Sequence, residues 1–245
     1  MTDTTAIERD SAHRPWPLPS WPWVMFQSWQ DLLFAHWPLP ASTLRAMVPP
    51  QLEIEHFDGS AWVGQTPFRL CELRPRYLPA LPKLSDFPEM NLRTYVRYRD
   101  KPGIFFFTLD ADSWLAVLGA RALFWLPYRH AQMKVERKKG RIHYHSRRQG
   151  AEWKASYQAT GGWFHPEPGT LEYFLTERYA LYTVLPNGSV VRGEIHHRRW
   201  SIATAEAEVV RNTVPAAHGL DLPEHPPLLH LAARQDTLIW PPMLA

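Results

Sequence analysis

The chain has 245 residues, 45% of them hydrophobic, with 24 Pro, 12 Trp and one cysteine, Cys71; this suffices for one large core but excludes an intrachain disulfide or a cysteine-rich zinc site. Proline at this density disfavours long helices and central strands, so short β elements joined by fixed turns are expected. The net charge is only +3, yet the bases are 21 Arg against six Lys, a bias toward forked recognition of carboxylates and phosphates and away from imine chemistry.

Residues 1–15 are polar and aperiodic and predict a disordered tail. They lack the basic and apolar regions of a secretory signal. The longest apolar run, Trp114 to Leu126, is interrupted by Arg121 and closed by Pro127, too short to span a bilayer. A cytoplasmic protein without membrane association is expected. Residues 16–245 contain no composition break and read as a single domain.

WPLPSWPW predicts an extended edge segment, and Ser42 a cap for a short helix stopped by Pro49 and Pro50. Asp58-Gly59 between EIEHF and SAWVGQTPFRL is a hairpin signal. RPRYLPALPKLSDFP predicts a long proline-rich loop of the kind that serves as a lid. Next, FPEMNLRTYVRYR alternates: Glu89, Asn91, Arg93 and Tyr95 on one face, Leu92, Thr94, Val96 and Tyr98 on the other. Period two means one strand with two unlike faces. The polar stripe either meets solvent or lines a wet internal cavity.

DKPG turns into IFFFTLDA, an apolar strand expected to be fully buried. Asp112 or Ser113 caps a buried helix, WLAVLGARALFW. AQMKVER and RIHYHSRR form a hairpin around KKG, and EWKASYQA is a further strand ending at Gly161-Gly162. PGTLEYFLTERYALY reads as a short helix entering a strand, Asn187-Gly188 as a turn, and LLHLAARQDTLIW as the last strand. The sum is a mainly β (α+β) domain with few helices.

Neither a nucleophile elbow, G-x-S-x-G, nor the glycine-rich loops of nucleotide-binding proteins occur. His143 and His145 share a strand face, but two imidazoles need further ligands, so no metal or cofactor is expected. Residues 129–148 hold eight Lys/Arg and one acid, Glu136; a solvated basic hairpin explains them better than nucleic-acid binding, given few aromatics. Arg121 either snorkels to solvent or is buried and paired, with Glu89 as the candidate partner. Arg178, beside Glu177 and Tyr179, either caps a pocket or forms a structural ion pair. His197 is either a hydrogen-bonded structural residue or a catalytic one.

Six blocks, HWPLPASTLRAMVPPQLEIEHFDGSAWVGQTPFRL, EMNLRTYV, KPGIFFFTLDA, ARALFWLPYR, LEYFLTERYALY and HHRRW, resemble in this order the DUF2071 (YqjF-like) family of bacterial proteins over about residues 20 to 240. The resemblance implies a fold similar to acetoacetate decarboxylase: a single antiparallel β-barrel or cone around a cavity, with a packed central helix. The decarboxylases carry a proline followed by two lysines, one of which forms an imine; the matching run here is Pro127-Tyr128-Arg129. Lys83, Lys101, Lys134, Lys138, Lys139 and Lys154 fall in turns, loops or polar strand faces, so Schiff-base chemistry is not expected.

The resulting expectation is a small-molecule-binding barrel, acting on or holding a small carboxylate or carbonyl compound. Glu89 and Tyr128 would be its acid-base groups, and Arg93, Asn91, Tyr95, Arg121, Arg178 and His197 its ligand contacts. A non-catalytic binding module and a nucleic-acid binder using residues 129–148 are the alternatives. Oligomeric state is not legible.

Overall fold

Backbone N–H and C=O groups taken into a core must find partners there, and in this computed structural model, which describes residues 2–81 and 84–245, strands supply most of them. In chain order the elements are Thr4–Arg9 (α1), Met25–Leu39 (β1), Ala41–Arg45 (α2), Glu53–Ile54 (β2), Ala61–Pro75 (β3), Phe87–Tyr98 (β4), Lys101–Ala111 (β5) and Trp114–Phe124 (α3). Tyr128–His130 (β6), Gln132–Lys138 (β7), Arg141–Arg148 (β8), Ala151–Ala159 (β9) and Leu171–Thr176 (α4) follow. Ala180–Val184 (β10), Val190–His197 (β11), Ala203–Asn212 (β12), Leu228–Ile239 (β13) and Met243–Leu244 (β14) complete the chain.

Hydrogen-bonded neighbours run β11-β10-β5-β4-β3-β1-β13, and β13 pairs again with β11, so these seven strands close into a ring. From β13 the sheet continues through β12, β9, β8 and β7. The β5–β10 and β5–β6 pairings are parallel, which makes the sheet mixed rather than wholly antiparallel. The reason is connectivity: a parallel partner needs a long crossover, and residues 112–179 provide it between β5 and β10.

The closed ring and its extension bury β4 on both faces. Met90, Leu92 and Val96 pack with Ile142, Tyr144, Trp153 and Tyr157 of the β8–β9 layer. The Tyr144 hydroxyl ties the two layers, donating toward the carbonyls of Glu89 (2.8 Å) and Phe68 (3.2 Å). The opposite face carries Glu89, Asn91 and Arg93 toward the ring interior, and none of them meets bulk solvent.

Several local expectations are corrected. Where a disordered tail was expected over residues 1–15, the described residues from Thr2 onward include a helix: Asp3 caps α1 through the amides of Thr5 and Ala6, and Ile7 is buried with Trp23, Phe26 and Trp240. The helix after β5 is capped by Ser113 as expected but is not buried. Val117 reaches the core, whereas Trp114, Leu115, Leu118 and Leu123 stand exposed. Its sequence is apolar nearly all round, so composition alone pointed inward. Trp125 ends it in the left-handed conformation (φ 52°).

Asp58-Gly59 does turn, with φ of 48° and 77°, but the preceding strand β2 pairs with β4, not β3. Ser42 lies inside α2, which has no side-chain cap. Phe105, Phe106 and Phe107 are half-buried rather than buried. Among the described residues no helix is long and apolar enough to cross a membrane.

Gly103 sits where β10 crosses β5. A Cβ there would approach Tyr182 Cε2 to 2.6 Å and the Ala180 carbonyl to 2.7 Å. Gly103→Ala therefore has to push apart the parallel pairing that closes the ring, and a loss of about 1–3 kcal/mol is expected in urea unfolding. An unchanged denaturation midpoint would mean the crossing accommodates a methyl group freely.

Candidate functional site

The ring interior is not filled by side chains. It holds a cavity of about 310 Å³ lined largely by apolar residues from β1, β3, β4, β5 and α3, and bounded further by β10, β11 and Trp200. Its polar members are few: Gln27, Glu89, Asn91, Arg93, Tyr128, Thr176, Arg178 and His197. Of the residues expected from sequence, Glu89, Asn91, Arg93, Tyr128, Arg178 and His197 come together here. Tyr95 and Arg121 do not.

Glu89 is 4% exposed. The Tyr128 hydroxyl lies 3.1 Å from both of its carboxyl oxygens. Burial raises the Glu89 pKa to about 8, with the Tyr128 hydrogen bond pulling weakly the other way. The carboxyl is therefore neutral at physiological pH, and burial beside it drives the Tyr128 phenol well above its ordinary value. The Glu89 pKa was expected to be set by burial against the charge of Arg93 or Arg121; burial does set it, and neither arginine contributes. Arg93 lies four residues along the strand, its Cα about 13 Å away at ~3.3 Å per residue.

Arg121 is exposed, and its Nε donates 2.7 Å to the Tyr128 carbonyl. It thereby braces the backbone that presents the Tyr128 ring, without reaching the cavity. Tyr95 is fully buried, with its hydroxyl 2.7 Å from His36 Nε2 and 2.8 Å from the Leu175 carbonyl. Those contacts satisfy it within the wall.

Asn91 accepts a hydrogen bond from the Thr66 hydroxyl. Arg178 is buried and paired with Glu55, which also receives Arg97 at 2.7 Å. Burial lowers the Arg178 pKa, and Glu55 opposes the shift. The ring nitrogens of His197 lie 2.7 and 3.3 Å from the carbonyls of Arg198 and Arg178, and the ring stacks on Tyr179. Burial depresses its pKa to about 4, so it is neutral.

Arg93 differs from all of these. It is 8% exposed. Its Nη2 has only long contacts of 3.5 Å, to the Tyr95 hydroxyl and the Leu175 carbonyl, and its Nε has no partner. Among the described residues no carboxylate pairs with it. Its neighbours are the Phe34 and Tyr95 rings and His36, whose pKa is driven well below the usual value by burial and by Arg93 itself. A guanidinium offers five donors, and among the described residues only the two 3.5 Å contacts answer them.

Gln27, Thr176, Trp200 and the lining side chains of α3 were not singled out from sequence. Gln27 belongs to a strand that alternation did not reveal, and α3 was expected to be buried. Leu84 of the proline-rich loop also lines the cavity, while Pro82 and Lys83 lie outside the described residues. Among the described residues no lysine lines the cavity, and no cluster of three or more His, Cys, Asp or Glu could hold a metal ion.

Comparison with known proteins matches residues 26–236 to DUF2071, an uncharacterized conserved protein family. "Uncharacterized protein YqjF" of Bacillus subtilis (strain 168) is 51% identical over 227 residues, covering 91% of this chain and 93% of that one. Among solved structures, the enduracididine biosynthesis enzyme MppR with HEPES bound aligns with a TM-score of 0.65 at 13% identity, covering 94% of this chain and 90% of its own. Acetoacetate decarboxylase from Legionella pneumophila aligns with a TM-score of 0.62 at 14% identity, covering 98% and 95%. At such identities the structures share a fold only, here mostly β and acetoacetate decarboxylase-like. The chain belongs to the DUF2071 family.

Proposed function

We propose that the cavity binds a small carboxylate or similar anion through Arg93, and that Glu89 with Tyr128 serves as an acid-base pair on a carbonyl-bearing ligand, without a Schiff base. The observation that carries this is Arg93, a buried guanidinium facing a cavity with no acidic partner among the described residues. A buried cation without a counter-charge is costly, and a carboxylate can answer it with two parallel hydrogen bonds. Glu89, being neutral, leaves that charge uncancelled.

An acid with a pKa near neutrality is suited to passing a proton to or from a bound carbonyl compound. The absence of a lining lysine among the described residues speaks for chemistry without an imine. MppR has been solved in complex with pyruvate; the likeness to this chain is in fold, so keto acids enter as probes rather than as an inherited substrate. A nucleic-acid role for residues 129–148 is less well supported. Arg137, Arg141 and Arg148 pair with Asp31, Glu206 and Asp110, and Lys134 and Lys138 share Glu136.

Thermal shift against acetate, pyruvate, acetoacetate and phosphate, with turnover followed in parallel, tests the anion site. A ligand at a hundredfold excess over its Kd should add about 2.7 kcal/mol of stability. Arg93→Met should abolish the response while melting no lower than the parent, because it removes an unpaired buried charge at similar volume. If Arg93→Met responds to the same anions as the parent, the assignment is wrong.

The Glu89 carboxyl loses its proton near pH 4.5 when unfolded and near 8 when folded. Between those values unfolding releases a proton, so stability falls as pH rises and levels off above about 8. The loss should amount to a few kcal/mol. Glu89→Gln should remove that slope and leave the protein more stable than the parent at alkaline pH. Parallel melting curves for the two across pH 5 to 9 would contradict a neutral, buried Glu89.

A further inference from the structure

The anion site occupies one part of a cavity whose remaining walls are apolar, which bears on what must be attached to the anion. We infer that the ligand is an elongated carboxylate with an apolar chain: its head at Arg93, its chain running past Glu89 and Tyr128 and out beneath α3. This rests on the anion reading above and extends it to the class of molecule.

Three observations carry the inference. First, direction: Arg93 lies deep, paired across the ladder with Gly64 and Phe106, whereas Glu89 pairs with Ala111 at the end of β5, immediately before α3. The Cα separation of about 13 Å between Arg93 and Glu89 favours a molecule longer than a two- or three-carbon acid.

Second, the face of α3 that lines the cavity carries Leu115, Ala116, Gly119, Ala120, Leu123 and Phe124, with the small residues Ala116, Gly119 and Ala120 at its centre, spaced i, i+3 and i+4 as one helix face requires. The small central residues leave the space beside them unfilled. A Cβ on Gly119 would meet nothing within 4 Å.

Third, Leu115 and Leu123 both line the cavity and yet are 61% and 62% exposed. Such residues gain by being covered, and an apolar chain in the channel would cover them. The cavity volume of about 310 Å³ falls at the small end of pockets that enclose organic ligands, about 300–1,000 Å³.

The test is a series of straight-chain carboxylates, acetate, butanoate, hexanoate and octanoate, titrated calorimetrically into the parent, Gly119→Leu, Gly119→Ala and Arg93→Met, with octanol as the uncharged control. Each added methylene buried should tighten binding about fourfold, corresponding to ~0.8 kcal/mol, until the channel is full. Octanol should bind far more weakly than octanoate. Gly119→Leu, which projects into the open space, should lower the octanoate-to-butanoate affinity ratio at least tenfold. Gly119→Ala should lower it less, and guards against misfolding of the larger variant.

Octanoate should also slow hydrogen exchange in α3, and Arg93→Met should lose the whole series. Acetate binding as tightly as octanoate would overturn the chain while leaving the anion site standing. A chain-length gain equal for octanol and octanoate would overturn the carboxylate head. If neither the parent nor Arg93→Met binds any member, the anion reading falls together with this one.

Discussion

The burial of β4 on both faces is the constraint on which the rest of the site depends. One face is closed by the β8–β9 layer and the other by the ring of seven strands, so the polar side chains on the inner face have no bulk water to turn to. A polar group removed from water without a partner costs on the order of 1–3 kcal/mol, and a charge more. Each residue of the stripe must therefore change protonation state, find a partner within the wall, or stand open to a ligand.

The stripe uses all three solutions. Glu89 becomes neutral and shares the Tyr128 hydroxyl. Asn91 and Tyr95 find partners in the wall, in Thr66, His36 and the Leu175 carbonyl. Arg93 does neither, since a guanidinium stays charged in proteins. The contrast with its neighbours is instructive. Arg14 and Arg178 are equally enclosed, and each has a carboxylate, Glu194 and Glu55, whereas the buried Arg74 lies over the Phe26 ring. Arg93 is thus the buried arginine that lines the cavity without a carboxylate among the described residues.

Fold and chemistry separate in this protein. The architecture is shared with acetoacetate decarboxylase-like proteins at 12–14% identity, but a shared fold hosts many unrelated activities. What occupies the run Pro127-Tyr128-Arg129 is a phenol hydrogen-bonded to a carboxylic acid and an exposed arginine. The apolar enclosure of the ring raises the pKa of the Glu89 carboxyl beside that phenol.

Local chemistry was legible wherever a short-range rule governs it. Alternation over residues 89–95 identified a strand with unlike faces, Asp58-Gly59 and Lys139-Gly140 turned with positive φ, and Ser113 capped its helix. The long strands β1 and β12 escaped notice. β1 contains a positive-φ residue, Asp31, that breaks its period, and β12 alternates alanine with threonine and glutamate before Val209, Val210 and a polar Arg-Asn end. By itself the sequence determined that residues 89–95 form a strand with one polar face, because side-chain period is a property of the local backbone. Only tertiary structure decided that this face is inside, that Tyr95 is satisfied in the wall and Arg121 left at the surface, and that Arg178 meets Glu55 across 123 positions. Those outcomes depend on how β13 rejoins β11 and on what lies across the cavity, and contacts between distant segments leave no period in the chain.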